Sequence, residues 1–400
     1  MKLHDPEYCP KVVEGLEFNK LFESEREAKY CLGSPNYDRY IQVDEKNVLP
    51  IETAIEYMDG SNSIESIEEM MLKKKIKISI SDLSEWLGKA GLLDNPPEDV
   101  KYEKQEMDYL ATTIKSWSLE KIYGFLTKLS SKYWKALIYS TVAIILAGIC
   151  IILKDWRMLI NITNYKVNGS FALGIVMIMA IFTLSIGAHE MSHAVVGYRY
   201  GLKPKAFVFA LYMGMPMFYV KMPGIYTVEP NKRVKVWSAG VYMNMVIASF
   251  CLVCMQFTSG WIYNLAIICC STNISLVLGN ISPLLPLDGY FIMSTLLKKP
   301  NLRKDSYRHF KNWFLRRENN FRGLYVVYFL ASITFYIAIV VAEVKWFAQV
   351  IKYGIDNHFT AIDYVYAFKY IILIIGVVLF KKVIEAVTNM ITGKRKVAYE

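Results

Sequence analysis

Histidine is scarce in this 400-residue chain, at five copies, so a site built on two imidazoles uses a large share of them. Charge is also sparse: 20% of residues are charged against 54% hydrophobic, and the mean hydropathy is +0.25. That balance favours a membrane protein over two or three soluble domains. The opening MKLHDPEYCP lacks an apolar core, so no cleavable secretory signal is expected. Residues 1–135 are rich in Glu, Lys and Asp and hold no uninterrupted apolar run. No internal repeat or low-complexity tract is present. The seven cysteines do not form a disulfide framework. Cys9 and Cys31 belong to the expected cytosolic part, where thiols stay reduced. Cys150, Cys251, Cys254, Cys269 and Cys270 fall in apolar runs, where buried cysteine acts as a small hydrophobe. The C-x-x-C of Cys251 and Cys254 makes a metal site only where Cys269 and Cys270 converge on it.

Runs of about 20 mainly apolar residues, enough to cross a bilayer, begin near Ala136. Six are expected: 136–153, 171–193, 236–258, 261–281, 324–343 and 364–382. The segment 298–322 carries nine Lys/Arg against two acids, and 199–235 carries seven against one. The tail GKRK (393–396) is basic as well. Six alternating spans put all these segments on one side. The positive-inside rule makes that side cytoplasmic, with both termini there. The net charge of +10 is therefore read as membrane orientation, and no nucleic acid is expected as a partner.

Within the N-terminal part, YCL and RYIQV (30–32, 39–43) read as strands separated by the turn signal GSPN. Helical periodicity follows over 49–60, with Gly60 as a stop. Residues 62–75 open on Asn62 with Glu65 three positions on, like a capping box, and 79–94 repeats the design with Asp82 and Glu85. A strand pair with three short helices is the size of a winged-helix domain, a fold that binds DNA or a peptide strand. A polar linker follows (95–109), then an amphipathic stretch at the lipid interface (118–137). The segment 205–228 is apolar but broken by Gly214, Pro216, Pro223 and Gly224, which reads as a β-hairpin or a re-entrant segment.

Chemistry concentrates in GAHEMSHAVVGYRYG (187–201). On a helix His189 and His193 share a face and can present imidazoles to one ion, while Glu190 is turned aside toward water. H-E-x-x-H is the zinc-hydrolase arrangement. An ionisable residue within a span costs about 3 kcal/mol on insertion scales, so three together ask for a function. A tetrahedral site needs a third protein ligand. The candidate is Asp288 in NISPLLPLDGYFI (280–292), where Pro283, Pro286 and Gly289 predict an unwound helix; the plainer role is a helix cap. Asn244, a lone amide in the third span, either bonds a neighbouring helix or holds substrate backbone near the metal.

HEMSH, AGVYMN (239–244) and NISPLLPLDG (280–289), one on each of three successive spans, resemble the site-2 protease family of intramembrane zinc metalloproteases over about 171–292. The resemblance implies His189, His193 and Asp288 as ligands of Zn2+ and Glu190 as general base. It adds Asn280 to Asn244 as substrate-binding, and reads 205–228 as a membrane-associated hairpin that pairs with substrate. Val241 stands where that family commonly has proline, and Tyr290 where it has a second glycine; both are similar to the family's peptide zinc metalloprotease branch. The segments YCLGSPNYDRYIQVDE, YMDGSNSIESI and LGKAGLLD resemble PqqD-like domains, which bind leader peptides of ribosomally made, modified peptides.

The expected architecture is an α-helical polytopic membrane protein with a small α+β N-terminal domain. Residues 1–95 are the winged-helix-like peptide-recognition domain, and 96–135 the linker and interfacial helix. The catalytic core spans 136–292 and a basic cytosolic loop 293–323. Two further membrane helices and the tail fill 324–400. The expected activity is zinc-dependent endoproteolysis of a peptide precursor at the membrane of a bacterial cell. A leader peptide, membrane lipid, a peptide-modifying enzyme and an exporter are the accompanying partners. The alternatives are cleavage of a membrane-tethered regulator or signal-peptide remnant, and a non-catalytic export or immunity partner.

Overall fold

A computed structural model describes residues 2–356, apart from 4, 24–27, 38, 103–110, 160, 169–170, 213–214, 300 and 318–320. The expected span 364–382 and the basic tail lie outside the described residues. The chain divides into two compact units, one of residues 1–109, 115–208 and 218–300, the other of 110–114, 209–217 and 301–400.

In the first unit the N-terminal segment opens with β1 (Glu17–Glu23), β2 (Ala28–Ser34) and β3 (Arg39–Asp44), an antiparallel sheet in the order β1-β2-β3. The two expected strands are β2 and β3; β1 is additional. Lys20 pairs with Tyr30 and Phe22 with Lys29, so Leu21 is the extra residue of a bulge. Helices α1 (Glu45–Ile55), α2 (Ile64–Lys73) and α3 (Ile80–Lys89) cover the sheet. Leu32 and Val43 of the sheet pack with Ile51, Ile67, Leu87 and Leu92 into one apolar core. Helix caps differ from expectation by one to three residues. Ser63 caps α2, accepting from Ser66 N, while Asn62 lies one residue before the cap and its NH2 group donates to the Tyr57 carbonyl at 3.1 Å. Ser79 caps α3 through Asp82 N, and Glu85 pairs with Lys89 at 2.6 Å.

Next come β4 (Ala111–Trp117), a strand within the expected linker and interfacial region 96–135, α4 (Glu120–Lys132) and α5 (Trp134–Lys154). The 29-residue α6 (Phe171–Arg199) carries the His-Glu-His motif. After it, 205–228 forms the expected hairpin: β5 (Ala206–Tyr212) and β6 (Met215–Lys221), joined by β4 into a sheet in the order β4-β5-β6. Helices α7 (Pro230–Met255) and α8 (Gly260–Ile281) pack along each other through Ala248, Leu252, Met255, Ile267 and Cys270. Among the described residues, α5, α7 and α8 are long and apolar enough to cross a membrane. They contain or nearly contain the expected spans 136–153, 236–258 and 261–281; the expected span 171–193 lies within α6.

Helix α8 stops because of its sequence. Ser282 precedes Pro283 and is extended (φ −65°, ψ 121°), the conformation a following proline imposes. Pro286 then keeps the chain from resuming a helix until Asp288, the first residue of α9 (Asp288–Leu296). The second unit holds α10 (Leu302–Phe314) and α11 (Gly323–Asp356), the latter containing 324–343. These pack through Phe310 on Phe329, ring centroids 4.4 Å apart, and His309 Nε2 accepts the Arg322 N–H at 3.1 Å.

Candidate metal centre

The helical spacing of α6 brings the His189 and His193 rings edge to face, with centroids 4.7 Å apart and Nε2 atoms 3.1 Å apart. The break after α8 delivers Asp288 to the same place. Its Oδ2 lies 3.0 Å from His189 Nε2 and 3.2 Å from His193 Nε2. All three side chains are nearly sealed from solvent, at 5%, 4% and 8% exposure.

Proton accounting tests whether these groups suit a cation. His193 Nδ1 lies 2.7 Å from the Val236 carbonyl oxygen, so Nδ1 carries the proton and Nε2 presents a lone pair. His189 Nδ1 lies 3.1 Å from Asn244 Nδ2, while Asn244 Oδ1 is buried without a partner. Exchanging the amide's oxygen and nitrogen, which have nearly the same shape, pairs Oδ1 with the His189 Nδ1–H and gives His189 the same tautomer. Asp288 Oδ2 accepts no well-formed hydrogen bond despite its two close nitrogens. Three lone pairs then converge with no proton between them. Such a set fits a divalent ion held by two imidazoles and a carboxylate, with the outward ring nitrogens fixed by a carbonyl and an amide.

Glu190 lies on the same cluster: its carboxylate and the two histidine nitrogens fall within 4.8 Å of one another. His189, Glu190 and His193 are thus a group that could hold a metal ion. Asp288 is the better third ligand because its contacts are shorter and its oxygen is unpartnered. Glu190 Oε2 is already engaged, accepting the Val220 N–H of β6 at 3.0 Å.

Two glycines permit this assembly. A Cβ on Gly240 of α7 would lie 2.3 Å from His189 Nε2, so no side chain fits where that helix passes the imidazole. A Cβ on Gly289 would lie 2.4 Å from the Ile281 carbonyl oxygen, which lets α9 start against the end of α8. An aromatic wall backs the site: Trp237 stacks on Phe291 at 4.8 Å and meets the His193 ring at 6.3 Å. Tyr123 of α4 is fully buried beside Ala194 and Phe207. Burial, then the Glu190 carboxylate, pushes its hydroxyl up to about 12.

His189, Glu190, His193, Asp288 and Asn244 are therefore brought together. Asn280 is not among them by hydrogen bonding: its amide donates to the Leu276 carbonyl of its own helix at 3.0 Å. Cys251 and Cys270 sit in the apolar packing of α7 against α8, and among the described residues no cysteine joins a candidate metal cluster. Gly240, Trp237, Tyr123 and the Val220 N–H had not been singled out from the sequence. Comparison with protein families, curated proteins and solved structures finds no match for this chain.

Proposed function

We propose that this chain is a zinc-dependent endopeptidase that cleaves a peptide at the membrane. The observation that carries the reading is the convergence of His189 Nε2, His193 Nε2 and Asp288 Oδ2 within 3.0–3.2 Å, with Glu190 beside them. Zinc bound by the two histidines and Asp288 would supply Lewis acidity toward water and the scissile carbonyl. Glu190, held through one oxygen by β6, uses its other oxygen to take a proton from the attacking water and return it to the leaving amine. Among the described residues β6 is an end strand of its sheet, so an extended peptide can add along it on either side of Val220, whose N–H is held by Glu190, and have its carbonyl presented to the metal side. Extended backbone suits hydrolysis, because a helical peptide bond is already hydrogen-bonded and covered.

Several apolar helices around this site support a multi-pass protein in the cell membrane, with both termini on the cytoplasmic side. The N-terminal sheet-and-helix domain is read as the module that captures a leader-bearing precursor.

The test uses purified full-length protein in detergent with a membrane-tethered precursor peptide. Glu190→Gln should abolish cleavage while zinc stays bound at stoichiometric occupancy. Undiminished cleavage in that variant, or wild-type protein that takes up no zinc, overturns the assignment. Removing residues 1–100 should weaken capture of a leader-bearing peptide far more than cleavage of a generic one.

A further inference from the structure

Arg233 sits in the first turn of α7, one turn before Val236, whose carbonyl holds His193. It is 3% exposed, yet among the described residues it has no carboxylate partner. Its Nη2 donates to the carbonyl of Leu21, the bulge residue of β1, and its guanidinium lies 5.8 Å from the Tyr226 ring centre. Its Nε is buried and makes no hydrogen bond. The nearest acid along the helix, Glu229, is taken by Lys232 at 3.0 Å.

A buried guanidinium held only by neutral groups is costly, and the cost falls when an anion joins it. Arg233 faces a cavity of about 10 Å³, room for one water-sized sphere, lined also by Leu21, Phe22, Trp237, Phe291 and Ser294. Among the described residues, no acidic side chain lines that cavity. It lies between β1 and α7; elsewhere the N-terminal domain meets the chain ahead of α7 through Tyr40 against Tyr226, at 5.9 Å, and through Lys205 donating to the Asn36 carbonyl. The wall it shares with the metal centre is the Trp237–Phe291 stack.

We infer that Arg233 is a carboxylate-binding subsite, in which an acidic side chain of a peptide places one oxygen in the cavity beside Nε. The charge-assisted bond satisfies the orphaned donor and supplies the missing countercharge. The inference deepens the peptidase reading and rests on it for the carrier of the carboxylate: the peptide passes from the N-terminal domain to the metal centre, and the subsite selects an Asp or Glu on the way.

The experiment measures binding, so it does not depend on cleavage. Full-length Glu190→Gln protein in detergent is titrated with fluorescein-labelled Val-Glu-Val amide and with its Val-Gln-Val counterpart at fixed ionic strength. The Glu peptide should bind about 10-fold tighter or more, as a hydrogen bond to a charged group allows. Arg233→Gln should erase the difference, with bound zinc confirming that the core has folded. Should that variant fail to fold, Arg233→Lys decides: it keeps the charge but lacks Nε, and the preference for Glu should shrink. Equal binding of the two peptides, binding of neither, or a preference that survives in both variants means the cavity holds only water and overturns the subsite. Loss of cleavage elsewhere with this preference intact counts against the hydrolysis instead.

Discussion

The backbone N–H of Val220 donates to Glu190 Oε2 at 3.0 Å, joining the hairpin to the proposed general base. A strand N–H spent on a side chain is unavailable to a neighbouring strand, which fits the place of β6 at the end of its sheet. Proline removes that N–H and is tolerated in end strands. Val220→Pro is therefore expected to lower kcat on the order of 10- to 100-fold, the usual effect of removing a group that orients a catalytic one. Zinc content should not change. A lowered kcat together with lost zinc would instead point to general damage around the site.

Gly240 makes a sharper prediction about metal. Its missing side chain is what allows α7 to pass His189 Nε2, and a methyl group there would overlap the lone pair that faces the ion. Gly240→Ala should cost most of the zinc bound at equilibrium while leaving the helical circular dichroism signal in place, since alanine favours helix. Zinc retained at wild-type affinity would show that His189 does not point into the site as described.

Asn244 separates two roles that its sequence position leaves open. Its amide meets His189 Nδ1 at 3.1 Å, so it is placed to orient a proposed ligand. Asn244→Ala should weaken zinc binding roughly 10- to 100-fold, the range typical of such outer partners. A substrate-holding role predicts the opposite pattern, a raised KM with zinc affinity unchanged. Competition with a fluorescent zinc chelator reads the first and steady-state kinetics the second.

The parts legible from sequence are those whose signal lies in a short window. Apolar length marked α5 and α8, and i, i+4 spacing put both imidazoles on one face. Gly and Pro punctuation marked the hairpin, and paired prolines marked the break before Asp288. What escaped depends on partners distant in sequence or on backbone alone. β1, EFNKLFE, is charged at both ends and becomes a strand through its pairing with β2. Asn62 has the composition of a helix cap, but the helix starts one residue later and the next residue, Ser63, offers an equally good cap oxygen. Gly240 reads as an ordinary small residue until another helix is seen to supply the imidazole beside it. Val220 gives no signal, because what it contributes is an N–H that nearly every residue has.

The N-terminal domain gives a pH prediction away from the metal. Cys31 lies in β2 at 3% exposure, and burial pushes its thiol from an ordinary 9.0 up to about 12, with the Arg233 charge opposing. The folded domain thus favours the neutral thiol. Its contribution to stability is fully present below pH 9 and is lost as the pH rises toward 12, because the unfolded chain ionises first. Since the thiolate is the nucleophile, Cys31 should resist iodoacetamide at pH 8 in native protein and react freely once the domain is unfolded in guanidinium. Peptide mapping by mass spectrometry resolves Cys31 from Cys9, which is only partly buried and serves as the internal reference. Cys31 alkylated as fast as Cys9 in native protein would mean that β2 does not hold its thiol in the interior, and that the sheet is packed differently from the arrangement on Leu32 and Val43.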